Sequence, residues 1–257
     1  MTLLCYHSVA RGWDDPVSLE PSDFGRQCAL LARRGDVVPL AQVADRLAAG
    51  SALPANTSVL TFDDGFADYA AHAVPILRNY RLPATMYVVA GSITNAALPV
   101  NWITGLAADD APPLLTVDQI RELHAEGWSF GSHSMYHRDL PTLTEAECTA
   151  DLKESRELLA DLLGEPVTSL AYPFGRHAPH VRRAAEKAGY AFALALPEAA
   201  TEEGGRFAVP RTGIYRGNGI LNFRIKTSRL FPALRAAPGY RAASTLARRA
   251  LTRVTAS

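Results

Sequence analysis

Asp63 and Asp64 stand side by side in Thr61-Phe62-Asp63-Asp64-Gly65. Adjacent carboxylates near a buried edge repel each other and resist ionising together. A bound cation relieves that cost for one and leaves the other to act as a base. The plainer alternative is that one Asp caps the following helix while the other is solvated. Further along, His133-Ser134-Met135-Tyr136-His137 sets two imidazoles four positions apart. On a helical turn that spacing points both the same way, so that they can chelate one metal ion. An isolated pair of this kind is more often two surface histidines. Two imidazole nitrogens plus one carboxylate, however, form a facial set with open positions for water and substrate. Zn2+ suits such a set, and so do cobalt, nickel and iron.

Other stretches carry further candidates. Tyr6-His7 ends an early apolar run. His7 is expected to act as an acid rather than a ligand, the alternative being a capping or hydrogen-bonded core histidine. Ala171-Tyr172-Pro173-Phe174-Gly175-Arg176 joins turn formers to aromatic rings that suit stacking on a sugar face. Ordinary core packing would serve Tyr172 equally well. Residues 92–115 form a long connection with Trp102, Asp109, Asp110 and Pro112-Pro113. A connection of that length inside a compact domain is often functional.

The elements that must position these residues follow from patterning. Short, nearly continuous apolar runs at Leu3–Tyr6, Ser58–Phe62, Thr85–Val89, Trp128–Gly131, Thr168–Tyr172 and Ala191–Leu196 read as strands covered on both faces. Helical patterns lie between them, at about 22–34, 40–49, 66–80, 116–127, 144–163 and 178–188. Thr116 with Gln119, and Thr144 with Glu147, fit capping boxes. Gly127, Gly164 and Gly189 fall where helices should stop. Repeated βα units imply an α/β fold with a parallel sheet, and six or seven units can close as a barrel or stay open. Asp63-Asp64 and the two histidines both follow strand ends, and in α/β barrels that C-terminal rim is where active sites assemble.

A chain of 257 residues is normal for one such barrel, and 48% hydrophobic residues supply a sizeable core. The formal net charge is zero, which gives no reason to expect nucleic acid. Charge is nonetheless unevenly placed. Residues 204–257 hold eleven Lys or Arg and no Asp or Glu. Within them, 241–254 reads as a basic helix with Leu246, Ala250, Leu251 and Val254 along one side. Such a segment is expected either to rest on an anionic membrane surface or to be a solvated or docked terminal helix. Three widely spaced cysteines, Cys5, Cys28 and Cys148, argue against a disulfide framework. The N-terminus lacks the pattern of a signal peptide and no run approaches a membrane span, so the expected location is the cytoplasm.

Thr61–Gly65, His133–His137 and Tyr172–Gly175, in that order, resemble the first three motifs of the polysaccharide deacetylase family (NodB homology, carbohydrate esterase family 4). The similarity spans about residues 1–215, leaving 216–257 as a basic helical tail. It implies a distorted barrel, usually of seven strands, in a single catalytic domain. It also implies Asp63 as catalytic base and Asp64, His133 and His137 as ligands of one divalent ion. Two departures stand out. The third motif usually has Arg where this chain has Ala171, and Arg211 in Val209-Pro210-Arg211 is the candidate replacement partner of Asp63, a solvated Arg being the alternative. The usual C-terminal Leu-x-His motif is absent. A branch acting on poly-β-1,6-N-acetylglucosamine carries the equivalent His near the N-terminus, and Leu4-Cys5-Tyr6-His7 is similar to that arrangement.

The expected activity is metal-dependent hydrolysis of N-acetyl groups on an amino-sugar glycan or glycoside. His7 would be the acid, and Tyr172, Pro173, Phe174, Arg211 and Trp102 the substrate contacts. A deacetylase of a small glycoside or nucleotide sugar, an O-acetyl esterase, and a non-catalytic sugar-binding barrel are the other readings. The last requires loss of a ligand, and the set is complete.

Overall fold

The computed structural model describes residues 2–51, 54, 57–96, 98–103, 112–196, 205–228 and 230–231. The predicted basic helix over 241–254 and the stretch with Asp109 and Asp110 lie outside the described residues. The chain forms two compact units, Met1–Gly217 and Asn218–Ser257. No described helix is long and apolar enough to cross a membrane.

The first unit begins with β1 (Thr2–Tyr6), followed by a short parallel pair, β2 (Ser8–Val9) and β3 (Ser18–Leu19). Helices α1 (Pro21–Arg34) and α2 (Ala41–Ala48) precede β4 (Ser58–Phe62). A π-helical turn at Tyr69–Ala73 leads into α3 (Val74–Tyr80), then β5 (Thr85–Val88) and the single turn α4 (Gly91–Thr94). α5 (Val117–Ala125), β6 (Ser129–Ser132), α6 (Glu145–Leu163), β7 (Ser169–Ala171), α7 (Pro179–Lys187) and β8 (Phe192–Ala195) continue the alternation. β9 (Val209–Pro210) and β10 (Thr212–Gly213) complete it. Both expected capping boxes form, on α5 and α6, and Gly164 ends α6 in the left-handed conformation. In the second unit, α8 spans Ile220–Lys226.

Eight strands pair in the order β10-β1-β4-β5-β6-β7-β8-β9, and each pairing is parallel. β9 and β10 are two halves of one extended stretch interrupted at Arg211. The first half pairs with β8 and the second with β1. Arg211 N–H bonds the Ala195 carbonyl at 2.8 Å, and Ile214 N–H bonds Cys5 at 2.9 Å. The sheet therefore curls into a nearly closed α/β barrel with seven strand positions, the last one split. The strands are almost wholly buried because helices cover the sheet, Pro210 of β9 being exposed. Val43 and Leu47 of α2 join one apolar cluster with Leu3, Val59, Phe192, Leu194 and Val209.

Apart from the helix expected over 66–80, the expected strands and helices appear within a residue or two of their predicted bounds. Patterning did not reveal the β2–β3 pair or the closing strand. Both are too short, at two residues per segment, to show a period. The helix expected over 66–80 is interrupted, since its first half is the π-helical turn.

Candidate active site

The carboxylate pair sits where β4 turns toward the π-helical segment. Asp64 has φ 72° and Gly65 φ 78°. A Cβ on Gly65 would come within 3.2 Å of the Val88 side chain, so both its conformation and its space call for glycine. These successive left-handed residues send the two carboxylates to different places. Asp63 turns into the barrel and Asp64 turns toward the histidines.

Asp63 is 2% exposed and meets Arg211, which is wholly buried. The guanidinium donates from Nη1 to Oδ1 at 2.7 Å and from Nη2 to Oδ2 at 2.6 Å, a bidentate fork. Arg211 Nη1 also donates to the Thr61 hydroxyl, which donates in turn to the Leu4 carbonyl. The Cys5 thiol donates to Asp63 Oδ2 at 3.3 Å. Burial raises the Asp63 pKa, but the charges of Arg211 and His133 outweigh it and hold the carboxyl below its usual value. Asp63 is thus ionised with its charge balanced inside the protein, as a base requires.

Asp64 faces His133 and His137. Its Oδ1 lies 3.4 Å from His133 Nε2 and 3.2 Å from His137 Nε2. His133 Nδ1 is 2.8 Å from the Ala171 carbonyl, which only accepts, so this nitrogen carries a proton. Nε2 of each histidine thus points at the Asp64 carboxylate, an arrangement in which neutral imidazoles would offer lone pairs to a shared cation. Ligand atoms about 2.1 Å from a metal ion, at angles between octahedral and tetrahedral, stand about 3.0–3.4 Å apart. The observed separations match, so Asp64, His133 and His137 fit one divalent ion. Burial raises Asp64, yet the bonds to both histidines hold it well below its usual value. Burial lowers His137, and its bond to Asp64 does not overcome that. For His133, burial is outweighed by Asp63 and Asp64, and its pKa is raised.

The histidine loop is held from two sides. Ala90 and Gly91, just after β5, donate their N–H groups to the Ser134 and Met135 carbonyls at 3.0 and 2.9 Å. A Cβ on Gly91 would be 2.6 Å from the Met135 oxygen, so this approach needs glycine. From α6, the buried Asp151 accepts Met135 N–H at 2.8 Å and Arg138 Nη2 at 2.9 Å. Ser134 (φ 65°) and His137 (φ 52°) adopt left-handed backbone that costs non-glycine residues energy. The Ser134 hydroxyl accepts His137 N–H at 3.1 Å and helps offset it.

His7 lies on the same rim. One of its ring nitrogens, an Asp63 oxygen and the Cys5 sulfur all fall within 4.8 Å of one another. Its ring stacks on Tyr215 at 6.1 Å between centroids. Trp102 stacks on His137 at 4.5 Å and Phe174 meets the same ring edge-on at 4.7 Å. Phe174 is 42% exposed with φ 57°. These two aromatics flank the His137 ring.

Three expected substrate contacts are corrected. Tyr172 is fully buried and its hydroxyl donates to the Phe207 carbonyl at 3.0 Å, so its ring offers no free face. Pro173 is buried and shapes the turn. Arg211 cannot reach a ligand and serves Asp63 instead; the alternative of a solvated Arg is excluded by its burial. Three contributors escaped the sequence reading. The Ala171 carbonyl acts through backbone, which no residue type announces. Asp151 lies mid-helix, where a buried carboxylate looks like any helical Asp. Cys5 was weighed only for disulfides.

A family model for polysaccharide deacetylases matches residues 50–193. A Bacillus subtilis protein named as a polysaccharide deacetylase, YxkH, is 26% identical over 219 residues, covering 84% of this chain and 72% of its own. The poly-β-1,6-N-acetyl-D-glucosamine N-deacetylase of Staphylococcus aureus is 24% identical over 171 residues, covering 62% of this chain and 54% of its own. This chain thus spans only about half the length of that relative. Among solved structures, the Streptococcus pyogenes deacetylase PplD in complex with acetate superposes with a TM-score of 0.72 at 23% identity, over 89% of this chain and 98% of that one. The matched segment carries Asp63, Asp64, His133 and His137 and covers more than half of the sequence, and on that match the chain belongs to the polysaccharide deacetylase family.

Proposed function

We propose that the chain is a metal-dependent N-deacetylase of an amino-sugar glycan, releasing acetate and a free amine. One observation carries the reading. Two adjacent carboxylates are sorted by the backbone into different surroundings, Asp63 paired with a buried guanidinium and Asp64 facing the Nε2 atoms of two imidazoles.

Asp64, His133 and His137 would hold the ion, with Zn2+ the first choice and cobalt, nickel or iron fitting the same donors. When bound, such an ion polarises the acetyl carbonyl and acidifies water. Asp63 accepts the proton of the attacking water. Arg211 keeps Asp63 ionised and fixed in its plane, so the base costs no reorganisation as the reaction proceeds. A backbone N–H near Phe174 would donate to the acetyl oxygen as charge develops on it. His7 donates a proton to the departing amine nitrogen. Phe174 and Trp102 flank the acetyl group and shield it from bulk water.

The first substrate to test is β-1,6-linked N-acetylglucosamine, supported by the Staphylococcus aureus relative's substrate and by the N-terminal position of His7. Acetate release is measured on β-1,6- and β-1,4-linked oligomers and on an O-acetylated sugar, with chelator and metal add-back. Release from an amide that chelation abolishes and metal restores is expected. Turnover of the ester alone would favour an esterase. Turnover indifferent to thorough chelation would overturn the metal role.

A further inference from the structure

His7 differs from the other site residues in how it is held. Its Nδ1 is buried, and among the described residues no group hydrogen-bonds it. An imidazole that transfers protons is ordinarily oriented by a bond to its other nitrogen. Among the described residues its ring stacks on Tyr215 and lies near Cys5 and Asp63, so much of its placement falls to its own backbone. On the N-terminal side that backbone is sheet, since Asp63 N–H bonds the Tyr6 carbonyl at 2.9 Å. On the C-terminal side the two residues after His7 pair with Ser18 and Leu19 of β3, and one carboxylate binds both of them as well. Asp68 accepts the Ser8 hydroxyl on Oδ2 at 2.6 Å and the Val9 N–H on Oδ1 at 3.0 Å. His72 Nδ1 donates to the Val9 carbonyl at 2.8 Å. Ser8 and Val9 are themselves fully buried.

Asp68 is the N-cap of the π-helical turn that follows Asp63-Asp64-Gly65, and His72 lies within it. A π turn inserts an extra residue and is found disproportionately at functional sites. In this chain it opens directly after the base and ligand, and its side chains reach back to the segment carrying His7. One short stretch, 63–72, therefore supplies the base, a metal ligand and a clamp on the acid.

We infer that Asp68, assisted by His72, is a positioning residue that sets the reach of His7 toward the leaving nitrogen by holding Ser8 and Val9. The inference rests on the reading of His7 as the acid. In that step the C–N bond breaks, its electron pair stays on nitrogen, and the proton comes from His7. An amide needs this proton because an amine anion is a poor leaving group. A p-nitrophenyl ester does not, since its phenolate leaves unaided. Loss of acid placement should thus slow amide hydrolysis selectively, with little change in KM, whereas a general loosening of the fold would slow both.

The test uses the full chain with its metal content checked by elemental analysis. kcat and KM are measured on a β-1,6-linked N-acetylglucosamine oligomer and on p-nitrophenyl acetate. His7→Ala should lower kcat for the amide by about 10²–10⁴-fold, the usual range for a lost general acid, and spare the ester. Asp68→Ala should lower the amide-to-ester ratio about tenfold to a hundredfold, since misplacement of about 1 Å costs on that order. Asp68→Asn, which keeps one acceptor, should fall between. The double variant His7→Ala/Asp68→Ala should have the same ratio as His7→Ala alone. If Asp68→Ala does not fold, Ser8→Ala and His72→Ala carry the same comparison. A His7→Ala chain with an unchanged ratio would remove the acid reading, and the role of Asp68 with it. A lowered ratio in His7→Ala but an unchanged one in the Asp68, Ser8 and His72 variants would overturn the positioning role alone.

Discussion

Asp63 and Asp64 share a side chain and a place in the sequence, yet the structure gives them opposite surroundings. The left-handed turn at Asp64 and Gly65 makes the separation, and each partner then fixes a role. Asp63→Asn should retain the ion, because Asp64, His133 and His137 are untouched, and lose about 10²–10⁴-fold in turnover. His133→Ala should instead lose the ion. Elemental analysis beside acetate release distinguishes the two. Arg211→Met leaves a buried carboxylate without its counter-charge and should cost about 3–5 kcal/mol. Because Arg211 helps hold Asp63 below its usual value, the stabilisation is present above the unfolded carboxyl's pKa of about 3.9 and is lost as pH falls through the folded value. The Tm gap between native and variant should therefore narrow as the pH is lowered toward and below about 4. The four residues of the base and ligand set were legible because their types and order are rare in combination. The partner of Asp63 was legible only as a candidate, since a lone Arg near a strand end looks alike whether buried or solvated. Tyr172 misled for a related reason: an aromatic residue at a rim turn has the same letter whether it faces a ligand or the Phe207 carbonyl.

At the level of elements, helices announced themselves through caps. Thr116 and Thr144 form the boxes their spacing predicts, and both helices begin where expected. What patterning could not show is which helix grips which loop. α6 does so through Asp151, which accepts from Met135 N–H and Arg138 in the histidine loop. Asp151→Ala should cost about 1.5–3 kcal/mol, the range for hydrogen bonds to a charged group. For a domain of this size that lowers Tm by about 3–12 °C. It should also weaken metal retention in a chelator competition, because the loop's left-handed residues lose part of their support. A fall in Tm without faster metal loss would show that α6 stabilises the fold but does not set the ligands. At the start of α6, Glu145 pairs with Lys187 and Arg183 of α7, which hold its carboxyl down at about 2. Since that pKa is depressed, the contribution of the bridge is present above the ordinary carboxyl value and fades as pH falls toward about 2. Thermal unfolding of Glu145→Gln should accordingly match the native chain more closely at pH 3 than at pH 7.

For the whole molecule, every residue assigned to the site lies within the unit Met1–Gly217. A chain ending at Gly217 should fold, retain its ion and release acetate at a rate close to the full chain's. Loss of turnover with the fold intact would assign part of the activity to the remaining segment. Repeated βα patterning was enough to anticipate a parallel sheet, but closure was not readable. It depends on one extended stretch whose halves pair with different neighbours, and two residues a side leave no period to detect.

That split strand has a consequence during synthesis. Asp63 and Arg211 are 148 residues apart, and ribosomes add about 5–20 residues per second, so the base exists for about 7–30 s before its counter-ion is made. The emerging chain holds an open sheet with an unmatched carboxylate until the last strand arrives. Arg211 then joins the two sheet edges and neutralises that charge in a single docking event. If Asp63 is the base, hydrolytic competence would await the same residue that seals the barrel.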